Sequence, residues 1–144
     1  NKRYAFVLVA DEKYWRRLCE RDSTGRAVHV FVRKNQVGPR TAQKLLFYVK
    51  KPIMQVRGVA NFIERLTGDS EELWSKHGAE SCFESRAEYT AFAEGREKMT
   101  FIRFKNFRTL EKPKDTEITR AIIRSLVWFR PKYLGPEATE QLTK

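Results

Sequence analysis

The stretch Lys44-Leu45-Leu46-Phe47-Tyr48-Val49-Lys50-Lys51-Pro52-Ile53-Met54-Gln55-Val56-Arg57-Gly58-Val59-Ala60 decides the architecture. Residues 44–49 read as a strand, closed by Lys50-Lys51-Pro52, and residues 53–65 read as a longer one. Gly58 interrupts the second, and a glycine inside a strand pattern marks a bulge or a bend. Such a bend suits a small, strongly curved barrel.

Upstream, residues 4–10 form a strand. Asp11 is placed to cap a helix running to about residue 20, with Tyr14, Trp15, Leu18 and Cys19 at helical spacing. Val28, Val30 and Val32 alternate with His29, Phe31 and Arg33 in another strand, which puts His29 outward or paired across the sheet. Gly38-Pro39 marks a turn. Downstream, Gly68-Asp69-Ser70 starts a helix that Gly78 stops. Ser85-Arg86-Ala87-Glu88 is a capping-box pattern for a second helix, ended by Gly95. Residues 99–110 form the clearest strand, with Thr100, Ile102 and Phe104 on one face and Phe101, Arg103, Lys105 and Phe107 on the other. Lys112-Pro113-Lys114 breaks it; a helix over 116–126, a short strand at Val127-Trp128-Phe129 and a terminal helical turn follow. The order predicts an α+β fold: a small curved β-barrel of about six strands with helices in the connections, as a single domain over residues 1–144, whole or cut from a longer protein.

Composition narrows the function classes. Lys and Arg number 29 against 18 Asp and Glu, a formal charge of +11, and 12% of residues are aromatic. That is enough apolar material for one core and too much for a disordered chain. The run Ala5-Phe6-Val7-Leu8-Val9-Ala10 is far short of the roughly 18 apolar residues of a membrane span, and Asp11-Glu12 ends it without a signal-peptide cleavage site. No membrane partner is expected. Two cysteines without a CxxC cannot build a disulfide framework, and a zinc site would need Cys19, His29, His77 and Cys82 to converge from distant positions. No metal and no cofactor are expected, and the default location is the reducing cytoplasm. The surplus of positive charge raises affinity for polyanions, so nucleic acid is the expected partner. A thermophilic, ion-pair-rich surface accounts for the amount of charge but less well for its sign. Oligomeric state is not legible.

Arg33, Lys34, Arg40 and Lys44 flank the Gly38-Pro39 turn, and guanidinium forks there suit phosphate. Lys50, Lys51 and Arg57 would extend that strip, or the two lysines simply charge a sheet edge. Arg103, Lys105 and Arg108 interleave with Phe101 and Phe107 as a single-strand surface would, unless the rings pack under a helix and Arg103 pairs with a carboxylate. Trp15 either lines a base pocket or joins the core. Asn61 and Glu64 follow the kinked strand, where an amide and a carboxylate can read a base edge, or where Glu64 is a surface partner of Arg65.

Residues 44–60 resemble the paired barrel strands of PUA-like domains, particularly the ASCH branch. Glu71-Glu72-Leu73-Trp74-Ser75-Lys76-His77-Gly78, with Ser85-Arg86-Ala87-Glu88-Tyr89 and Gly95-Arg96, is similar to the ASCH helical insert, and Thr100-Phe101-Ile102-Arg103-Phe104 resembles the strand after it. With Arg130-Pro131-Lys132-Tyr133-Leu134, the chain also looks like an archaeal family of PUA-like proteins. PUA, ASCH, EVE and YTH domains share this barrel. The resemblance implies RNA binding, favoured over DNA, or reading of a modified base in a cleft. The alternatives it implies are the modified-DNA recognition domain of a restriction-type enzyme and a small hydrolase or nuclease acting on RNA or a modified nucleoside. Some ASCH proteins are hydrolases using a Lys, a Thr and a Glu, types that Thr41, Lys44 and Glu64 supply. The ASCH motif Gly-x-Lys-x-x-Glu-x-Arg is absent, and here the Thr precedes the Lys, so catalysis is not carried over and a binding domain is the preferred reading.

Overall fold

The computed structural model describes residues 3–35, 38–123 and 132–144. Among these residues six strands form one sheet: β1 (Ala5–Ala10), β2 (Val28–Arg33), β3 (Lys44–Val49), β4 (Gln55–Asp69), β5 (Lys98–Asp115) and β6 (Lys132–Leu134), in the order β2-β5-β4-β3-β1-β6. β1 and β3 are parallel and the other pairs antiparallel. Among the described residues five α-helices decorate it: α1 (Glu12–Ser23), α2 (Ser70–His77), α3 (Arg86–Ala93), α4 (Thr116–Ile122) and α5 (Pro136–Thr143).

The expected α+β class holds, but the barrel is open. Among the described residues β2 pairs with β5 alone and the three-residue β6 with β1 alone, so the sheet curls without closing its hydrogen-bond ladder. Curling comes from β4 and β5, 15 and 18 residues long, whose ladder shifts register at Val56/Gly58, Val59/Asn61 and Phe62/Glu64. Each bulge bends its strand and increases the local twist. A further shift between Phe47 and Tyr48 of β3 faces Gly58, where a bend was expected. The glycine is also required by contact. A Cβ there would lie 2.5 Å from Trp15 Cη2 and 3.2 Å from Phe107 Cε1, so the indole of α1 rests directly on the backbone of β4.

Residues 45–49 are buried on both faces because the sheet lies between two layers. On one side Phe6, Leu8, Leu45, Phe47, Ile102, Phe104 and Phe107 pack with Trp15 and Leu18 of α1. On the other, Val7, Leu46, Tyr48, Val56 and Leu110 pack with Ile123 and with Leu142 of α5. A third cluster under α2 and α3 gathers Val30, Leu73, Tyr89, Met99 and Phe101. The cap signals of α2 and α3 are used: Asp69 accepts from the Glu72 amide at 2.9 Å and Ser85 from the Glu88 amide at 3.1 Å. Asp11 sits at the N-cap of α1, but its side chain makes no capping bond and reaches Lys50 instead.

One sequence expectation changes. β5 passes through Lys112-Pro113-Lys114 to Asp115. β2 covers β5 only from Thr100 to Lys105, and an unpaired edge is where a strand tolerates proline. The strand expected at Val127-Trp128-Phe129 and the end of the 116–126 helix lie outside the described residues; β6 follows them.

Of the two placements open to His29, outward or paired across the sheet, it takes the second: it is fully buried, opposite Phe104 of β5 and stacked on it. β2 is covered on both faces, so alternation does not sort its residues into inside and outside. The imidazole Nε2 donates to Asp22 at 3.0 Å, and Nδ1 meets no partner among the described residues. Burial holds the His29 pKa below its ordinary value, and the Asp22 hydrogen bond only partly offsets this. A depressed folded-state pKa stabilises fully above the unfolded value, about 6.5, and that stability is lost as pH falls below it, at up to about 1.4 kcal/mol per pH unit. His29→Phe is expected to flatten the stability profile between pH 6.5 and 5, measured by urea unfolding; an unchanged slope would contradict this role.

Candidate functional site

Where β1 and β3 end, α1 and β2 enclose a cavity of about 260 Å³. Buried Trp15, Phe47 and Phe104 form its floor, and the partly exposed rings of Tyr14, Phe31 and Phe92 stand around it. The local cause is plain: α1 starts directly after β1, so its first turn carries Tyr14 and Trp15 over the strand ends. Asp11, Arg33, Lys34 and Lys50 line the mouth. Asp11 and Lys50 lie 3.4 Å apart, and Lys34 is engaged by Glu94 and sits 4.9 Å over the Phe92 ring.

Arg33 differs from these neighbours. No carboxylate pairs with it among the described residues, and its Nη1 is buried without a hydrogen-bond partner. Burial alone lowers its pKa from the ordinary arginine value. A desolvated, unpaired guanidinium presents donors in a planar fork that matches phosphate or carboxylate. An aromatic chamber with an unpaired cation at its mouth has the chemistry to hold a flat ring and an attached anionic group.

A second cavity, about 490 Å³, opens at the opposite end of β3, where Tyr4, Lys44, Asn61, Asn106 and Arg108 meet α5. Lys44 Nζ donates to Asn61 Oδ1 at 2.6 Å.

No family model matches the sequence, and no curated protein matches it. Among solved structures, the chain is similar to ASCH from Zymomonas mobilis, with a TM-score of 0.78 at 23% identity over 97% of this chain and 94% of that one. A tyrosine-to-phenylalanine mutant of that protein matches with the same TM-score and identity over 97% and 96% of the two chains. The N-terminal domain of Staphylothermus marinus McrB matches with a TM-score of 0.52 at 11% identity, over 96% and 92%. The chain has an ASCH/PUA-like fold.

Within this fold the residues singled out from sequence scatter. Arg33, Lys34 and Trp15 meet at the aromatic cavity. Arg40 and Lys44 do not join them: the chain crosses the molecule between Arg33 and Lys44, and the Arg40 amide donates to the Tyr133 hydroxyl at 3.0 Å near β6. The expected single strip along the Gly38-Pro39 turn is therefore two separate places. Arg57 donates to Gln55 at 2.8 Å on the α1 side of the sheet. Trp15 is a core residue and a pocket wall at once, being only 6% exposed.

Arg103 faces carboxylates, not solvent. Its Nε and Nη2 donate to the two oxygens of Glu80, each at 3.0 Å, and Nη1 donates to Glu64 at 2.7 Å. Of the two readings of Arg103, phosphate contact or carboxylate partner, the geometry has the second, and Glu64 is one of its partners. Lys105 is exposed and lies opposite Asn61 across β4 and β5. The aromatic interleaving also differs. A bulge at Asn106, with φ 53°, turns Phe107 onto the face of Phe104, so Phe101 and Phe107 enter different cores.

Thr41, Lys44 and Glu64 do not meet. Thr41 is exposed and lines neither cavity, Lys44 holds Asn61 in the second cavity, and Glu64 holds Arg103. Among the described residues no cluster of three or more His, Cys, Asp or Glu is placed to hold a metal, and no helix is long and apolar enough to cross a membrane. Sequence reasoning missed Phe31, Phe92 and Phe104 as pocket walls. The signal available was the density of rings flanking Arg33, but which strand face they share depends on the curl of the sheet.

Proposed function

We propose that this domain binds nucleic acid by taking one unstacked base into the aromatic cavity and its phosphate onto Arg33. The observation that carries the reading is the buried, partnerless Arg33 nitrogen at the mouth of a chamber walled by Tyr14, Phe31 and Phe92. Rings accept any base by its π face, while the cation holds the phosphate. The cavity lies below the usual range of ligand pockets, about 300–1,000 Å³, which favours a single base over an extended ligand. Single strands, and RNA loops and ends in particular, fit better than duplex, because a base must leave its stack to enter. A methyl group on the base adds apolar area for the rings to cover, about 0.8 kcal/mol or roughly fourfold in affinity, which makes a modified base, in RNA or in DNA, the favoured ligand. The net charge of +11 supplies the sequence-independent part of the affinity.

The test is fluorescence anisotropy with single-stranded RNA, single-stranded DNA and duplex DNA, each with and without base methylation, at two salt concentrations. Phe31→Ala is expected to weaken binding about tenfold, the scale of one lost base stack. Arg33→Gln is expected to reduce the slope of log K against log salt by about 0.7, the loss of one phosphate contact. Unchanged affinity in both variants would overturn the reading.

A further inference from the structure

The second cavity lies on the sheet face opposite the aromatic chamber, and the reading above does not use it. Three strands place a row of side chains on this face: Lys44, Asn61 and Arg108 line the cavity, and Lys105 continues the row beside it. Lys44 of β3 stands opposite Asn61 of β4, and Asn61 opposite Lys105 of β5. Adjacent strands are about 4.8 Å apart, so the two lysine backbones are roughly 10 Å apart with the amide between them. Next along β5, Arg108 stands opposite Val59. The bulge at Asn106 makes this possible: three residues of β5 span two of β4, so Lys105 and Arg108 share a face that regular alternation would deny them.

The row offers donors. Asn61 Oδ1 already accepts from Lys44, which leaves the amide N–H₂ as the part of Asn61 open to a ligand. Lys105 and Arg108 are exposed, and neither has an ion pair or hydrogen bond among the described residues. This contrasts with Lys34 and Arg103, whose charges are taken up by carboxylates. Among the described residues Glu140 of α5 is the single acid in the lining, and Tyr4 the single aromatic ring.

We infer that this groove is a second, separate contact for nucleic acid, taking the sugar–phosphate backbone of a strand and no base. It rests on the nucleic-acid reading for its ligand class but not on the aromatic chamber. Two unpaired cations and an outward amide match phosphate oxygens, and backbone contacts of this kind position a strand without reading its sequence. A strand entering the chamber and a strand in the groove occupy opposite faces of the sheet, so the two contacts are independently removable.

The probe that separates them is an abasic single-stranded oligonucleotide, a sugar–phosphate chain with nothing to put in the chamber. Wild-type protein is expected to bind it with a salt-dependent affinity. Lys105→Ala/Arg108→Ala should weaken that binding at least tenfold and reduce the salt slope by about 1.4, two phosphates on a single strand. Phe31→Ala should leave it unchanged. Arg96→Ala/Lys98→Ala removes two exposed charges elsewhere and controls for net charge; an equal loss in that variant would overturn the inference, as would equal binding by the wild type and the Lys105/Arg108 variant, or no binding of the abasic chain. A nucleoside monophosphate that still binds in a Phe31-dependent way would then show that the groove failed while the chamber stood. The reverse pattern, groove-dependent binding of the abasic chain with no effect of Phe31→Ala on any base-bearing ligand, would keep the groove and remove the chamber.

Discussion

Arg103→Ala is expected to cost about 3 kcal/mol, the low end for breaking a buried ion pair. The side chain is 20% exposed and its guanidinium is bidentate on Glu80 and monodentate on Glu64. Glu80 also accepts from His77 Nδ1 at 2.9 Å, so the network ties β4 and β5 to the turn that follows α2. Removing the arginine leaves Glu80 partly buried with two donors fewer. The charge state makes the prediction specific. Burial pushes the Glu80 carboxyl upward, but hydrogen bonds from Arg103 and His77 more than offset it, and its pKa lies below the ordinary value. A depressed carboxyl pKa contributes stability that is fully present above the unfolded value, about 4.3, and is lost as pH falls through the folded value. The gap between wild type and Arg103→Ala should therefore be largest near pH 7 and shrink below pH 4. Urea unfolding at both pH values measures it, with Arg103→Met as the variant that keeps the aliphatic volume. An unchanged midpoint at pH 7 would remove this network from the account of stability.

Gly58→Val is expected to destabilise by about 3 kcal/mol, at the upper end for overpacking, which for a chain of this size is a fall in Tm of roughly 6–12 °C. A Cβ alone would stand 2.5 Å from Cη2 and 2.9 Å from Cζ3 of Trp15, inside any real contact distance, and valine adds two methyl groups. The indole has little room to yield, because Phe47 and Phe107 hold its other sides at ring separations of 6.0 and 5.5 Å. Trimming the indole should rescue it: Trp15→Leu combined with Gly58→Val should cost less than the sum of the single changes, the mark of residues in contact. Because Trp15 also floors the chamber, Gly58→Val should weaken ligand binding even at temperatures where the domain stays folded. Thermal melts of the four proteins decide it, and strict additivity would mean that glycine is not there for the indole.

What was readable in advance followed how local each cause is. The caps at Asp69 and Ser85 depend on residues three positions away, and both work as read. The strand from Lys44 to Val49 and the interruption at Gly58 were legible because apolar runs and glycines act within one element. Asp11 has the right type and position for a cap, yet a lysine brought up from the end of β3 engages its carboxylate.

The candidate site was less legible, for one recurring reason. Arg103, Arg33 and Lys105 are the same kind of residue in the same kind of strand, and their different fates are set by partners far along the chain. Glu80 and Glu64 lie 23 and 39 positions from Arg103, while nothing among the described residues comes to Arg33 Nη1. Alternation failed at Phe107 because one bulge at Asn106 exchanges the faces beyond it. At His29 it left two placements open, and the pairing across the sheet is the one taken, because a strand covered on both sides has no outer face. The sequence by itself determined the elements, the α+β class and the positive charge, since these depend on composition, period and neighbours a few residues apart. Only the tertiary structure decided that the sheet stays open, which cations keep their charge free and which rings form a chamber, because those depend on the curl of two long strands and on the side chains that the curl brings together.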